Sequence, residues 1–208
     1  MDEINLKKIF VILIPASGHI NPVTGIIREL AMNKNIQVTF YGTEDYRELI
    51  EKTGAKYRPY YYDNMISLHP KNLKEEKNLI LTLIKFQMNF ADKNMSFLVN
   101  DVEIEQPDLI IYDSISFHTK YLMKVLHTRY ENKLSQVKPP RVVKMSPSFG
   151  TKPGVFPNQE EIKLYRKNND MWFYFNFLLL IFNQILFSLK HGIKVYNPVK
   201  FFYTRGYE

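Results

Sequence analysis

Short runs of strand-forming apolar residues alternate along this chain with segments of helical period. The first run, Val11 to Ile14 in FVILIP, is unbroken, and Pro15-Ala16-Ser17-Gly18-His19 follows it before a helical pattern opens at Asn21-Pro22. Asn21 suits a helix N-cap, and Pro22 suits the first helical position, where its missing N–H is unpaired anyway. Val23, Ile26, Ile27 and Leu30 then fall on one face. The pattern predicts strand, tight loop and helix, with His19 on the loop. In open α/β sheets that is where ligands bind.

The same alternation continues. Ile36 to Tyr41 predicts a second strand, Gly42-Thr43-Glu44 turns into a short helix over Asp45 to Lys52, and Gly54 suits a left-handed cap. Ala55 to Tyr62 reads as a third strand with its exit loop, and Pro59 places it at a sheet edge because proline cannot donate to the ladder. From about Lys74 a long helix is expected, with Ile80, Ile84, Met88, Ala91, Met95, Leu98 and Val102 in steps of three and four. Asp108 to Asp113 is a fourth strand, Ser114 or Ser116 caps a helix bearing Phe117, Tyr121 and Val125, and His127 to Pro140 reads as a loop. Arg141 to Met145 is a fifth strand, and 146–157 is a Pro/Gly/Ser loop. This βαβαβ order predicts an α/β, Rossmann-like, doubly wound and mostly parallel sheet with helices on both faces.

The pattern from Asn158 onward is helical. Met171 to Leu189 is the most hydrophobic stretch, interrupted only by Asn176, Asn183, Gln184 and Ser188. Its length approaches a membrane span. Asn169, Asn176, Asn183 and Lys190 nonetheless recur at heptad spacing and draw one polar stripe, which favours a helix buried on most sides and leaves membrane contact through 171–189 as the second reading.

Composition narrows the function classes. A chain of 208 residues, 45% hydrophobic and 24% charged, suits one domain with a full core. The 14% aromatic content is high and suggests an apolar pocket or interface. Without cysteine there is neither a disulfide framework nor a thiolate metal site. The net charge of +7 arises from 28 basic residues spread among 21 acidic ones, which argues for a solvated surface and against a nucleic-acid partner. The opening MDEINLKKIFVILIP lacks a basic flank before its apolar run, so a cytoplasmic protein is expected.

The motif IPASGHINPVTGIIRELA, followed by QPDLIIYDS, resembles the amino-terminal half of a UDP-dependent glycosyltransferase of the macrolide, plant-phenolic and glucuronosyl type, with the two-domain GT-B fold. The resemblance spans most of the chain and is strongest at 8–60 and 107–147. It implies that residues 1–208 form the acceptor-binding Rossmann-like domain. The family's carboxyl-terminal domain, whose histidine- and glycine-rich signature grips the UDP-sugar, has no counterpart among the chain's 8 glycines. The expected partners are a hydroxylated lipophilic acceptor and a UDP-sugar presented by a further domain or a partner subunit.

Chemistry converges on His19 and Asp113. In a doubly wound sheet of order 3-2-1-4-5, the carboxyl ends of strands one and four open onto one crevice, so His19 and Asp113 fall within reach of each other. Neutral imidazole takes a proton from an attacking hydroxyl, and a carboxylate fixes its tautomer and stabilises the imidazolium. The resemblance implies the same roles, as catalytic base and supporting carboxylate, in an inverting transfer that requires no metal or other cofactor. The plainer alternative is that His19 caps a loop and Asp113 a helix.

Ser17 and Gly18 are candidates for substrate approach to the backbone, and Tyr60, Tyr61, Phe149, Trp172 and Phe173 for the wall of an acceptor pocket. A core or surface role suits each of them equally well. His118, five residues after Asp113 on the next helix, is a weaker candidate for lining the crevice, with a solvent-facing or structural role expected instead, and His69, His127 and His191 have no partner at metal-ligand spacing. No GxGxxG or Walker loop is present. The rival class is a catalytically inactive small-molecule-binding half, or one subunit of a split glycosyltransferase.

Overall fold

The computed structural model describes residues 6–60, 79–113, 116–145 and 170–193, with the backbone alone for helical residues 79–85, 170–177, 179, 180 and 184. The chain divides into two compact units. One comprises Met1–Asn64 and Phe90–Pro147, the other Met65–Asn89 and Ser148–Glu208.

The first unit is built on a five-stranded sheet of β1 (Lys7–Ile12), β2 (Ile36–Gly42), β3 (Lys56–Pro59), β4 (Leu109–Asp113) and β5 (Arg141–Met145), in the order β3-β2-β1-β4-β5. Every pairing is parallel, with Ile9 opposite both Val38 and Leu109. Pro59 does lie on an edge strand, paired with Gly42. The amino ends of β1 and β4 are fastened by Asp108, which accepts hydrogen bonds from Lys7 Nζ at 3.0 Å and the Lys8 N–H at 2.9 Å.

Strand side chains alternate between faces. Ile9, Val11 and Leu13 join Val38 and Phe40 against α1 (Ser17–Ile20), α2 (Thr24–Met32) and α3 (Arg47–Glu51), burying Ile20, Val23, Ile27 and Ile50. Phe10 and Tyr41 stack edge-on on the opposite face, where Tyr41 also meets Phe97 of α4 (Leu79–Glu105). Of the predicted stripe on α4, Met88, Ala91, Met95, Leu98 and Val102 are buried; the side chains of Ile80 and Ile84 fall outside the described residues. An Arg58 guanidinium from β3 donates to Asp101 at 2.8 Å and to Glu105, and Asp101 also accepts the Tyr41 hydroxyl at 2.8 Å. This network ties the sheet edge to α4.

Several expectations need correction. Asn21 is not an N-cap: its φ and ψ of −55° and −45° are helical, and the chain enters helix at Ser17. Residues 17–32 run through α1, a 3-10 turn at Asn21–Val23 and α2, the tight turn falling where Pro22 cannot supply an N–H. Ile26 is exposed rather than part of the buried face. The predicted short helix begins as a 3-10 turn at Glu44–Tyr46, and Gly54 takes φ +83° as expected. The helix after β4, α5 (Phe117–Glu131), continues past His127, with Arg129 on its last turn donating to Glu103 at 2.9 Å, and it ends just before Lys133 turns left-handed at φ 57°. Only the remainder of 127–140 is a loop.

In the second unit, α6 (Asp170–His191) covers the apolar run and ends at Gly192, φ 64°. Among the described side chains of α6, burial on most sides does not hold: Leu178, Phe182, Leu186 and Leu189 are exposed, whereas Phe187 and Ser188 are buried. A helix apolar all round does not encode which face its neighbours cover. No helix among the described residues is long and apolar enough to cross a membrane.

Candidate active site

The site forms where β1 and β4 end side by side. Beyond β1, Leu13, Ile14 and Pro15 stay buried, and Ala16 holds an extended conformation of φ −137°, ψ 143°. The Ala16 carbonyl then accepts from the N–H groups of His19 at 2.9 Å and Ile20 at 3.0 Å. His19 therefore sits inside the first helical turn, not on a free loop. Ser17 and Gly18 beside it are exposed, and a Cβ added at Gly18 would meet nothing within 4 Å. The backbone there is open to an approaching ligand.

Asp113 closes β4 and is wholly buried. Its Oδ2 accepts the Ile14 N–H at 2.9 Å and stands 3.4 Å from His19 Nδ1. That separation is beyond strong hydrogen-bond range, and Nδ1 has no hydrogen-bond partner among the described residues. Contacts of this kind are often long before substrate binds and tighten with it. The His19 side chain is 23% exposed while Nδ1 is buried, so the exposed part lies elsewhere on the side chain. One nitrogen faces the carboxylate, and the side chain is reachable from outside.

Behind this pair lies a buried aromatic layer. Tyr60 donates its hydroxyl to the Leu13 carbonyl at 2.7 Å, and His118 Nε2 is 3.4 Å from the same hydroxyl. Phe90 packs edge-on against both rings, with centroids at 4.9 Å and 5.0 Å. His118 does not face solvent: it has no exposure, and burial pushes its imidazole down to about 4, against a smaller upward pull from Asp113. Burial likewise drives the Tyr60 phenol well above its ordinary range, with the Asp113 charge adding to the effect. Thr119 holds the start of α5 to β1 through the Ile12 carbonyl at 3.1 Å.

The first turns of α5 are buried on every side, from Phe117 through Met123. Lys120 is among them, its ammonium 5.4 Å from the Phe117 ring centroid and lowered to about 8, chiefly by burial and then by Lys144. Sequence periodicity marked only one face of this helix and so passed over Lys120 and left His118 only a weaker candidate. Their position directly after the carboxyl end of a central strand was the signal that pointed inward.

Among the other candidates, Tyr60 lies in the core with its hydroxyl committed to Leu13. Tyr61 and Phe149 lie outside the described residues, as do the side chains of Trp172 and Phe173 on α6. No group of His, Asp and Glu suited to a metal ion occurs among the described residues.

The parallel sheet of order β3-β2-β1-β4-β5 has structural counterparts among solved proteins. The glycotransferase of kitacinnamycin superposes with a TM-score of 0.61 at 15% identity, covering 95% of this chain and 43% of that one. The calicheamicin glycosyltransferase CalG4 gives 0.60 at 17%, covering 94% and 44%. In sequence, the NDP-glycosyltransferase YjiC of Bacillus subtilis strain 168 is 30% identical over 122 residues, which is 57% of this chain and 29% of YjiC. The chain is thus similar, over part of their length, to known glycosyltransferases. The structural likeness establishes the Rossmann-like half of the GT-B fold, and the sequence likeness adds a glycosyltransferase relative. The chain spans less than half the length of these proteins. No protein-family model matches it.

Proposed function

We propose that this chain is the acceptor-binding half of a UDP-glycosyltransferase that transfers a hexosyl group, with inversion, to a hydroxyl of a lipophilic small molecule. The observation that carries the reading is the approach of His19 Nδ1 to the buried Asp113 carboxylate at the carboxyl ends of β1 and β4. In this reading Asp113 holds the imidazole proton on Nδ1, leaving Nε2 to take the acceptor proton. The acceptor oxygen then attacks the anomeric carbon as its bond to the diphosphate breaks, and the nucleoside diphosphate leaves with that electron pair. As the imidazolium forms, the Asp113 charge stabilises it in a site of low dielectric. The exposed Ser17 and Gly18 backbone borders the place where the acceptor would lie.

The test is transfer from UDP-glucose to a panel of hydroxylated aromatics and macrolides, comparing the protein with its His19→Ala variant and measuring acceptor affinity by calorimetry. With the UDP-sugar presented by a further domain or a partner subunit, turnover is expected to fall by roughly 10²–10⁴-fold in the variant while acceptor binding persists. Undiminished turnover in the variant would remove His19 as the base. Acceptor binding without turnover in either protein would make the chain a binding half.

A further inference from the structure

The Leu13–Ile14 peptide group is gripped at both ends. Its carbonyl oxygen accepts the Tyr60 hydroxyl at 2.7 Å, and its N–H donates to Asp113 Oδ2 at 2.9 Å. All of these groups are buried: Leu13 and Asp113 have no exposure, Ile14 is 5% exposed and Tyr60 3%. A single rigid peptide plane therefore links the end of the edge strand β3 to the carboxylate beneath His19.

The direction of the hydrogen bonds is determined. Tyr60 has one hydroxyl proton, and the short contact gives it to Leu13, so toward His118 Nε2, at 3.4 Å, the phenol oxygen can only accept. His118 then carries its proton on Nε2. The opposite tautomer would bury an unpaired N–H at Nδ1, which has no partner among the described residues, and orphaned donors are rarer than under-used acceptors. Burial also keeps this imidazole neutral at neutral pH. Every donor thus points the same way: His118 Nε2–H to Tyr60, Tyr60 O–H to Leu13, Ile14 N–H to Asp113. Bonds arranged head to tail polarise one another, and a peptide whose carbonyl is engaged donates more strongly through its N–H.

We propose that Tyr60 is a positioning residue for the His19–Asp113 pair, acting through the Leu13–Ile14 peptide, with His118 bracing its hydroxyl. The proposal rests on the reading of His19 as the base. The Tyr60 N–H is itself anchored on the Gly42 carbonyl at 3.1 Å, and Phe90 wedges both rings, so the brace is fixed from β2 and α4 as well. Tyr60 touches neither substrate nor the reacting atoms. It sets the orientation of the Ile14 N–H, a backbone donor to Asp113 Oδ2.

Tyr60→Phe removes the hydroxyl and keeps the ring. Two readouts are made on the full chain: the nitrogen-15 shifts of the His19 ring, which report its tautomer, and kcat with the acceptor KM for UDP-glucose transfer. Wild-type His19 is expected as the Nδ1–H tautomer. In Tyr60→Phe a measurable fraction passes to the Nε2–H form, and kcat falls roughly tenfold with KM unchanged, about the worth of one buried hydrogen bond. Tyr57→Phe is the control, since it removes a nearby hydroxyl on β3 itself, 3.4 Å from the Gly42 carbonyl, and should leave both readouts at wild-type values. If Tyr60→Phe does not fold, His118→Leu removes the brace alone and should shift the tautomer in the same direction by less. Wild-type tautomer and kcat in Tyr60→Phe, or an equal loss in Tyr57→Phe, would overturn the proposal. A wild-type His19 that is not held as Nδ1–H would instead overturn the base reading itself.

Discussion

His19 Nδ1 and the Ile14 N–H converge on the same oxygen of Asp113, at 3.4 Å and 2.9 Å. Asp113→Asn therefore separates charge from geometry. An amide oxygen in the Oδ2 position still accepts the Ile14 N–H and still faces Nδ1, so fold and tautomer are preserved while the negative charge is lost. Under the proposed mechanism turnover is expected to drop by roughly 10²-fold or more, because an imidazolium formed at His19 would lose its counter-charge. The check is kcat alongside an unchanged circular dichroism spectrum.

The buried His118 makes stability depend on pH. Its folded-state value is about 4, against the ordinary 6.5 of an exposed imidazole. Between these values the unfolded chain binds a proton that the folded chain does not, so stability rises with pH there. The stability is fully present above pH 6.5 and is lost as pH falls toward 4, by up to about 3 kcal/mol from this group. Urea unfolding at pH 7 and pH 4.5 measures the loss, and His118→Leu should flatten it over this window.

Arg58 is the hub of the network that joins the sheet edge to α4, with side-chain exposures of 16% for Arg58 and 14% for Asp101. Burial opposes its charge, yet Glu105, Tyr41 and Asp101 together hold the guanidinium above its ordinary range. Arg58→Met leaves both carboxylates without this cation and should destabilise the unit by about 3 kcal/mol. Adding Asp101→Asn should recover part of that loss, because one stranded charge is gone. A double-mutant cycle by urea denaturation reads the coupling directly.

The elements that could be read from sequence are those whose signal is local. An unbroken FVIL run, a proline on an edge strand and a glycine at positive φ each restrict the backbone by themselves. The α4 stripe from Met88 to Val102 was legible because one repeating face suffices to bury it. Where burial came from all sides, as on α5, periodicity marked only part of the truth: Phe117, Tyr121 and Val125 were found, Lys120 was passed over, and His118 stood only as a weaker candidate.

By itself, then, the sequence determined the parallel βαβ order and, through SGHINP and DLIIYDS, which imidazole and which carboxylate meet. Local propensity and strand order are enough for that, since parallel neighbours must end on the same side of the sheet. Tertiary structure alone decided that His19 lies in a helical turn rather than a loop, and that Ile26 and one face of α6 stay uncovered. It also decided that Tyr60 turns its hydroxyl inward to the Leu13 carbonyl. Those outcomes depend on which surfaces neighbouring elements cover and on where buried donors find acceptors, relations between distant residues that no local pattern carries.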